Sequence, residues 1–166
     1  MKTTLKGLGV LASLLIAAPG HVLADTNTYA GALCEPQSAT TPFSRAVALG
    51  IGNPSGTTPS ATYLCPLVRD NLPAAVPSVS AAVVVNDFTT SGSITCILAS
   101  RSETGSTIAA STRATTGPGV GIQTLTFATL PTTATGYLTL HCMVPATATA
   151  VGQGTSRVIS YRATES

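Results

Sequence analysis

From Asp25 onward apolar and polar residues alternate with a period of two, and no stretch shows the three-to-four-residue spacing of an amphipathic helix. Gly136–Val144 is the clearest case. Leu138, Leu140, Cys142 and Val144 fall on one face of an extended chain, and Tyr137, Thr139, His141 and Met143 on the other. Ile94, Cys96 and Leu98 likewise share a face. Further strands are expected over Ala46–Ile51, Tyr63–Val68, Ser78–Asp87, Thr107–Thr112, Gly121–Phe127 and Ser156–Arg162. Turn-forming clusters separate them: Gly52-Asn53-Pro54-Ser55-Gly56, Asp70-Asn71-Leu72-Pro73, Thr90-Ser91-Gly92, Gly117-Pro118-Gly119 and Gly152-Gln153-Gly154. Short Thr- and Val-rich strands at this spacing predict an all-β fold, a single antiparallel β-sandwich of jelly-roll-like or immunoglobulin-like type. Val83, Val85, Leu98, Leu125, Phe127, Leu138 and Leu140 are its expected core.

The first 24 residues break this pattern. Lys2 and Lys6 precede an apolar run from Leu8 to Ala18, then Pro19-Gly20 and a small residue at Ala24, which together read as a cleavable signal peptide. The run is too short to span a bilayer, which takes roughly 18 or more apolar residues. The expected organisation is a signal peptide over 1–24 and one domain over 25–166, secreted or periplasmic, with no membrane span in the mature chain.

Export changes the charge. Both lysines lie in the signal segment, so residues 25–166 keep six arginines against six acids and a formal net charge of zero. A chain without clustered basic residues is a poor partner for nucleic acid. Weak charge also removes a usual brake on self-association.

Four cysteines in an exported chain, with no C-x-x-C or C-x-x-H pair, favour two disulfides over a metal site. Three connectivities are possible. Sequential pairing, Cys34 with Cys65 and Cys96 with Cys142, closes the shorter loops and is preferred.

The inventory of catalytic groups is thin, and no catalytic residue is assigned. His141 is the only histidine after the signal segment, and no G-x-S-x-G elbow accompanies it. The acids Asp25, Glu35, Asp70, Asp87, Glu103 and Glu165 are scattered singly, so a glycosidase pair has no local signature. A blue-copper site needs two histidines, and no calcium-loop motif is present. No metal or cofactor is expected. The most distinctive string is Cys65-Pro66-Leu67-Val68-Arg69-Asp70-Asn71, in which Arg69 and Asp70 could form a polar recognition pair for a glycan or peptide. The competing interpretation is structural. Asp70 or Asn71 would cap the turn, while Arg69 packs over Tyr63 or pairs with an acid.

Gly31-Ala32-Leu33-Cys34, Cys65-Pro66-Leu67-Val68-Arg69-Asp70, Gly136-Tyr137-Leu138-Thr139-Leu140-His141-Cys142 and Ser160-Tyr161-Arg162 together resemble a group of short secreted four-cysteine β-proteins of Gram-negative bacteria. The resemblance covers nearly the whole chain after the signal segment. It implies an exported, disulfide-bonded β-form and brings no activity. A weaker likeness is to chaperone–usher pilins, which are similar in size and equally poor in charge. Asp25–Leu33 lacks their alternating apolar donor strand, and four cysteines exceed their usual single bridge.

These features point to an exported, non-enzymatic binding or surface-structural domain, with a glycan, a peptide or another copy of the chain as partner. The alternatives are a secreted hydrolase built from loop carboxylates and His141, and a pilin-like self-assembling subunit.

Overall fold

The computed structural model describes residues 25–46, 49–54, 60–69, 78–89, 92–117, 121–147 and 154–166. The signal segment, Asp70 and most of the expected turn clusters lie outside them. The described residues form twelve strands: β1 Asp25–Ala30, β2 Glu35–Pro36, β3 Ser44–Ala46, β4 Gly50–Gly52, β5 Ser60–Cys65, β6 Ser78–Asp87, β7 Thr95–Arg101, β8 Thr107–Ala114, β9 Gly121–Thr126, β10 Leu130–Pro131, β11 Tyr137–Pro145 and β12 Arg157–Glu165. A 3₁₀ turn, Gly31–Leu33, follows β1.

The strands form two antiparallel sheets and no closed barrel, as expected for a β-sandwich. In sheet I the long central pair is β6 and β12. The far edge of β6 carries β9 and β10 end to end, and the far edge of β12 carries β1 and β4, with β3 outermost. Sheet II runs β2-β5-β11-β7-β8. All seven expected core residues are buried, together with Tyr63, Val79, Val144, Val158 and Tyr161 in one cluster. Period-two burial along β11 accounts for it directly: Leu138, Leu140, Cys142 and Val144 point inward.

Three expectations are corrected. Ala46–Ile51 is not one strand; the chain reverses between β3 and β4, and Gly50 enters β4 with φ of 79°, a conformation that favours glycine. The strand expected over Tyr63–Val68 stops at Cys65, where Pro66 removes a backbone donor. β1 was not expected at all. Asp-Thr-Asn-Thr-Tyr-Ala has no apolar alternation, yet all six residues pair with β12, and Tyr29 stacks on Tyr161 at 5.2 Å.

Both disulfides lie in sheet II and follow the sequential pairing, Cys34–Cys65 and Cys96–Cys142. Cys96 and Cys142 are register partners on β7 and β11, and Cys34 precedes the pair Glu35–Leu64 by one residue. Each bridge therefore locks the register of two neighbouring strands. Loops of 31 and 46 residues correspond to about 4 kcal/mol of stabilisation each in the chain-entropy picture.

Buried polar groups join the two sheets at their ends. The Asp87 carboxylate, fully buried, accepts from the Thr89 N–H at 3.2 Å, the Ile94 N–H at 3.4 Å, the Ser156 hydroxyl at 3.1 Å and the Thr115 hydroxyl at 2.5 Å. These donors come from the β6–β7 connection, the approach to β12 and the end of β8. Along the β8/β9 side, Arg113 donates to the Thr126 carbonyl at 2.8 Å and Ser111 accepts from the Ala128 N–H.

Candidate functional site

Arg69 follows β5 on the irregular segment that begins at Pro66. Its Nη1 donates to the carbonyls of Thr133 at 2.7 Å and Gly136 at 2.8 Å, and its Nε stands 3.4 Å from Glu165 of β12. Both side chains of this ion pair are buried, at 7% and 6% exposure. Arg69 thus ties three segments together: its own, the β10–β11 connection and the C-terminal strand. This is the acid pairing of the structural interpretation. Asp70 lies outside the described residues, so the recognition pair has only one member in view, and that member has its guanidinium turned to the protein.

His141 sits half-buried in β11 on the outer face of sheet II, with Leu64 and Ile97 as register partners. Burial, and then the positive charge of Arg101, lower its pKa below the usual histidine value. Those influences favour the neutral ring. Arg101 itself is held by Thr139 and by the Gly105 carbonyl. Extending the same row across the sheet, Glu35 lies opposite Leu64, one strand removed from His141. A hollow of about 410 Å³ opens beside this row, lined by Leu33, Glu35, Pro36, Leu64, Pro66 and Thr139. It is apolar with a single carboxylate at its edge.

Among the described residues no three His, Cys, Asp or Glu side chains stand close enough to hold a metal ion. No helix among them is long and apolar enough to cross a membrane.

A second hollow, of about 200 Å³, lies on the outer face of sheet I. Thr28 of β1, Ser160 and Arg162 of β12, Ala82 and Val84 of β6 and Thr124 of β9 line it. Four strands contribute because their outward positions fall in register: Thr28, Arg162 and Ala82 in one row, and Ser160, Val84 and Thr124 in the next. Small side chains at Ala82 and Ser160 leave the depression, and three hydroxyls and one guanidinium stand on its otherwise apolar surface. In the sequence Ser160-Tyr161-Arg162 has the same ambiguity as Arg69-Asp70, recognition or structure, and reads first as a terminal strand. The signal it lacks is cross-strand register.

No protein-family model matches the sequence, and no curated protein matches it.

Proposed function

We propose that this protein is an exported binding domain, secreted or periplasmic, that works without catalysing a reaction. The observation that carries the reading is the use made of its ionisable groups. Asp87 accepts four internal hydrogen bonds, Glu165 faces Arg69, and the half-buried His141 has a cation as its charged neighbour. General acid–base work needs such groups within reach of a substrate. What the described surface offers instead is two shallow hollows on rigid sheet faces. A disulfide-braced sheet suits recognition, because a rigid face loses little freedom on binding. Paired cysteines and the signal pattern support an oxidising compartment.

The self-assembling alternative calls for a groove that another chain's strand can fill. In sheet I the place between β6 and β1 is taken by the chain's own β12, which supports a self-contained domain. The test is to purify the protein after export, size it, and screen it on glycan and peptide arrays. A monomer with saturable binding to one ligand class is expected; ordered filaments, or turnover of a screened compound, would overturn the reading.

A further inference from the structure

β12 contains a β-bulge. Val158 pairs with Val85 and Ser160 with Val84, so Ile159 is an extra residue with no counterpart on β6. In a regular strand Arg157 and Arg162, five positions apart, would point to opposite faces. The bulge cancels that. Val158 and Tyr161 both enter the core, so Arg157 on one side of the bulge and Ser160 and Arg162 on the other face outward together. Bulges commonly re-aim side chains in this way.

The chain makes specific room for the irregularity. A Cβ at Gly31 or at Gly50 would overlap the Val158 carbonyl oxygen and crowd the backbone of Ile159. Two glycines from separate elements thus meet at the bulge.

The resulting face is positively charged. Among the described residues it carries Arg157 and Arg162 and no carboxylate, since Asp25 and Glu165 alternate to the other side of β1 and β12 and Asp87 is buried. Arg162 is exposed and, among the described residues, makes no hydrogen bond or ion pair. Arg157 Nη1 and, on its register partner, Asn86 Oδ1 are shielded polar atoms without a hydrogen-bond partner. By contrast Arg45, Arg69, Arg101 and Arg113 each donate to backbone carbonyls.

We infer that this face binds an acidic polysaccharide, with Arg157 and Arg162 each receiving a carboxylate or sulfate group and the hollow beside Arg162, with its three hydroxyls and its apolar floor, receiving a sugar ring. The inference rests on the binding-domain reading and names its ligand class. Guanidinium groups match the geometry of planar oxyanions. At ~3.3 Å per residue the two arginines are on the order of 15 Å apart along the strand, so a ligand touching both is an extended chain with repeated charges rather than one small ion. A peptide adding as a strand is disfavoured, because both edges of β12 are already paired. Thr28, Thr124 and Ser160 offer hydroxyls to a hydroxylated partner, and Ala82 leaves space for it.

The test is calorimetric titration of the exported protein with oligogalacturonate, its neutral methyl ester, a dextran sulfate oligosaccharide and neutral dextran. One or both anionic oligomers should bind, the neutral ones should not, and which anionic oligomer binds tells carboxylate from sulfate. Arg157→Gln and Arg162→Gln should each weaken binding roughly tenfold, and Arg157→Lys should retain part of it. Glu103→Gln, on the β7–β8 turn, shifts net charge by one unit in the opposite direction and should leave affinity unchanged. Folding of each variant is checked by circular dichroism and disulfide mass. Equal binding by the folded double variant, equal binding of the methyl ester, or loss in only one of the two arginine variants overturns the shared-face claim. A parent that ignores all four probes yet binds another array ligand also overturns it while leaving the binding-domain reading intact.

Discussion

Gly50 of β4 packs against the backbone carbonyl of Val158, at the point where β12 gains its extra residue. Gly50 and Gly121 both have positive φ, 79° and 85°, but nothing lies within 4 Å of a Cβ placed on Gly121. The pair separates backbone strain from crowding. Gly121→Ala should cost about 1 kcal/mol from the unfavourable φ alone. Gly50→Ala adds overlap with backbone that cannot rotate away, for a total of about 3–5 kcal/mol. Thermal denaturation of the two variants checks it, and equal losses would mean that the contact with Val158 does not matter.

Asp87 anchors both sheets. Asp87→Ala removes a charged acceptor from four donors, leaving the Thr115 and Ser156 hydroxyls and two N–H groups without it, and should cost about 3 kcal/mol. For a domain of this size that is a melting temperature roughly 10 °C lower. Thr115→Val, which removes one donor to the carboxylate and the acceptor of the Ile94 N–H, should cost about 1–2 kcal/mol. An Asp87 variant as stable as the parent would show that the carboxylate is dispensable to the fold.

Arg69→Ala should destabilise the protein by about 3 kcal/mol, since it removes the partner of a buried carboxylate and two carbonyl contacts. Arg69→Lys should not restore full stability, because one ammonium lacks the fork that reaches both carbonyls and Glu165 together. Urea denaturation measures both. A folded Arg69→Ala protein of parental stability that loses ligand binding would instead make this residue a recognition element.

The string around Arg69 was conspicuous in the sequence, but what it does was not. Its partners, Thr133, Gly136 and Glu165, lie 64 to 96 positions away along the chain, and no local pattern reports such a meeting. Alternation did reveal the faces of β6, β7, β9 and β11, because one side of each is apolar and burial enforces the period. It failed for β1, where pairing with β12 rather than side-chain pattern makes the strand. It also gave no access to the outer face of sheet I: counting by twos puts Arg157 and Arg162 on opposite sides, and only the bulge housed by Gly31 and Gly50 reverses that.

His141 supplies a pH dependence. Its folded-state pKa is lowered, so the unfolded chain binds the proton more readily. The stability tied to the neutral ring is fully present above the ordinary histidine value near 6.5, and is lost as pH falls through that value toward the lower folded-state one. The melting temperature should therefore fall between pH 7 and pH 5, and the fall should be smaller in His141→Gln. An identical pH profile for parent and variant would remove His141 from the account.

Recognition of a ligand without its chemical transformation is the function proposed for this fold. Its most direct test is steady-state turnover by the purified protein on glycoside, ester and peptide substrates, measured beside His141→Ala and Asp70→Ala. No turnover above the buffer rate is expected for any of the three proteins. Saturable turnover by the parent that disappears in either variant would contradict it and make the protein a secreted hydrolase.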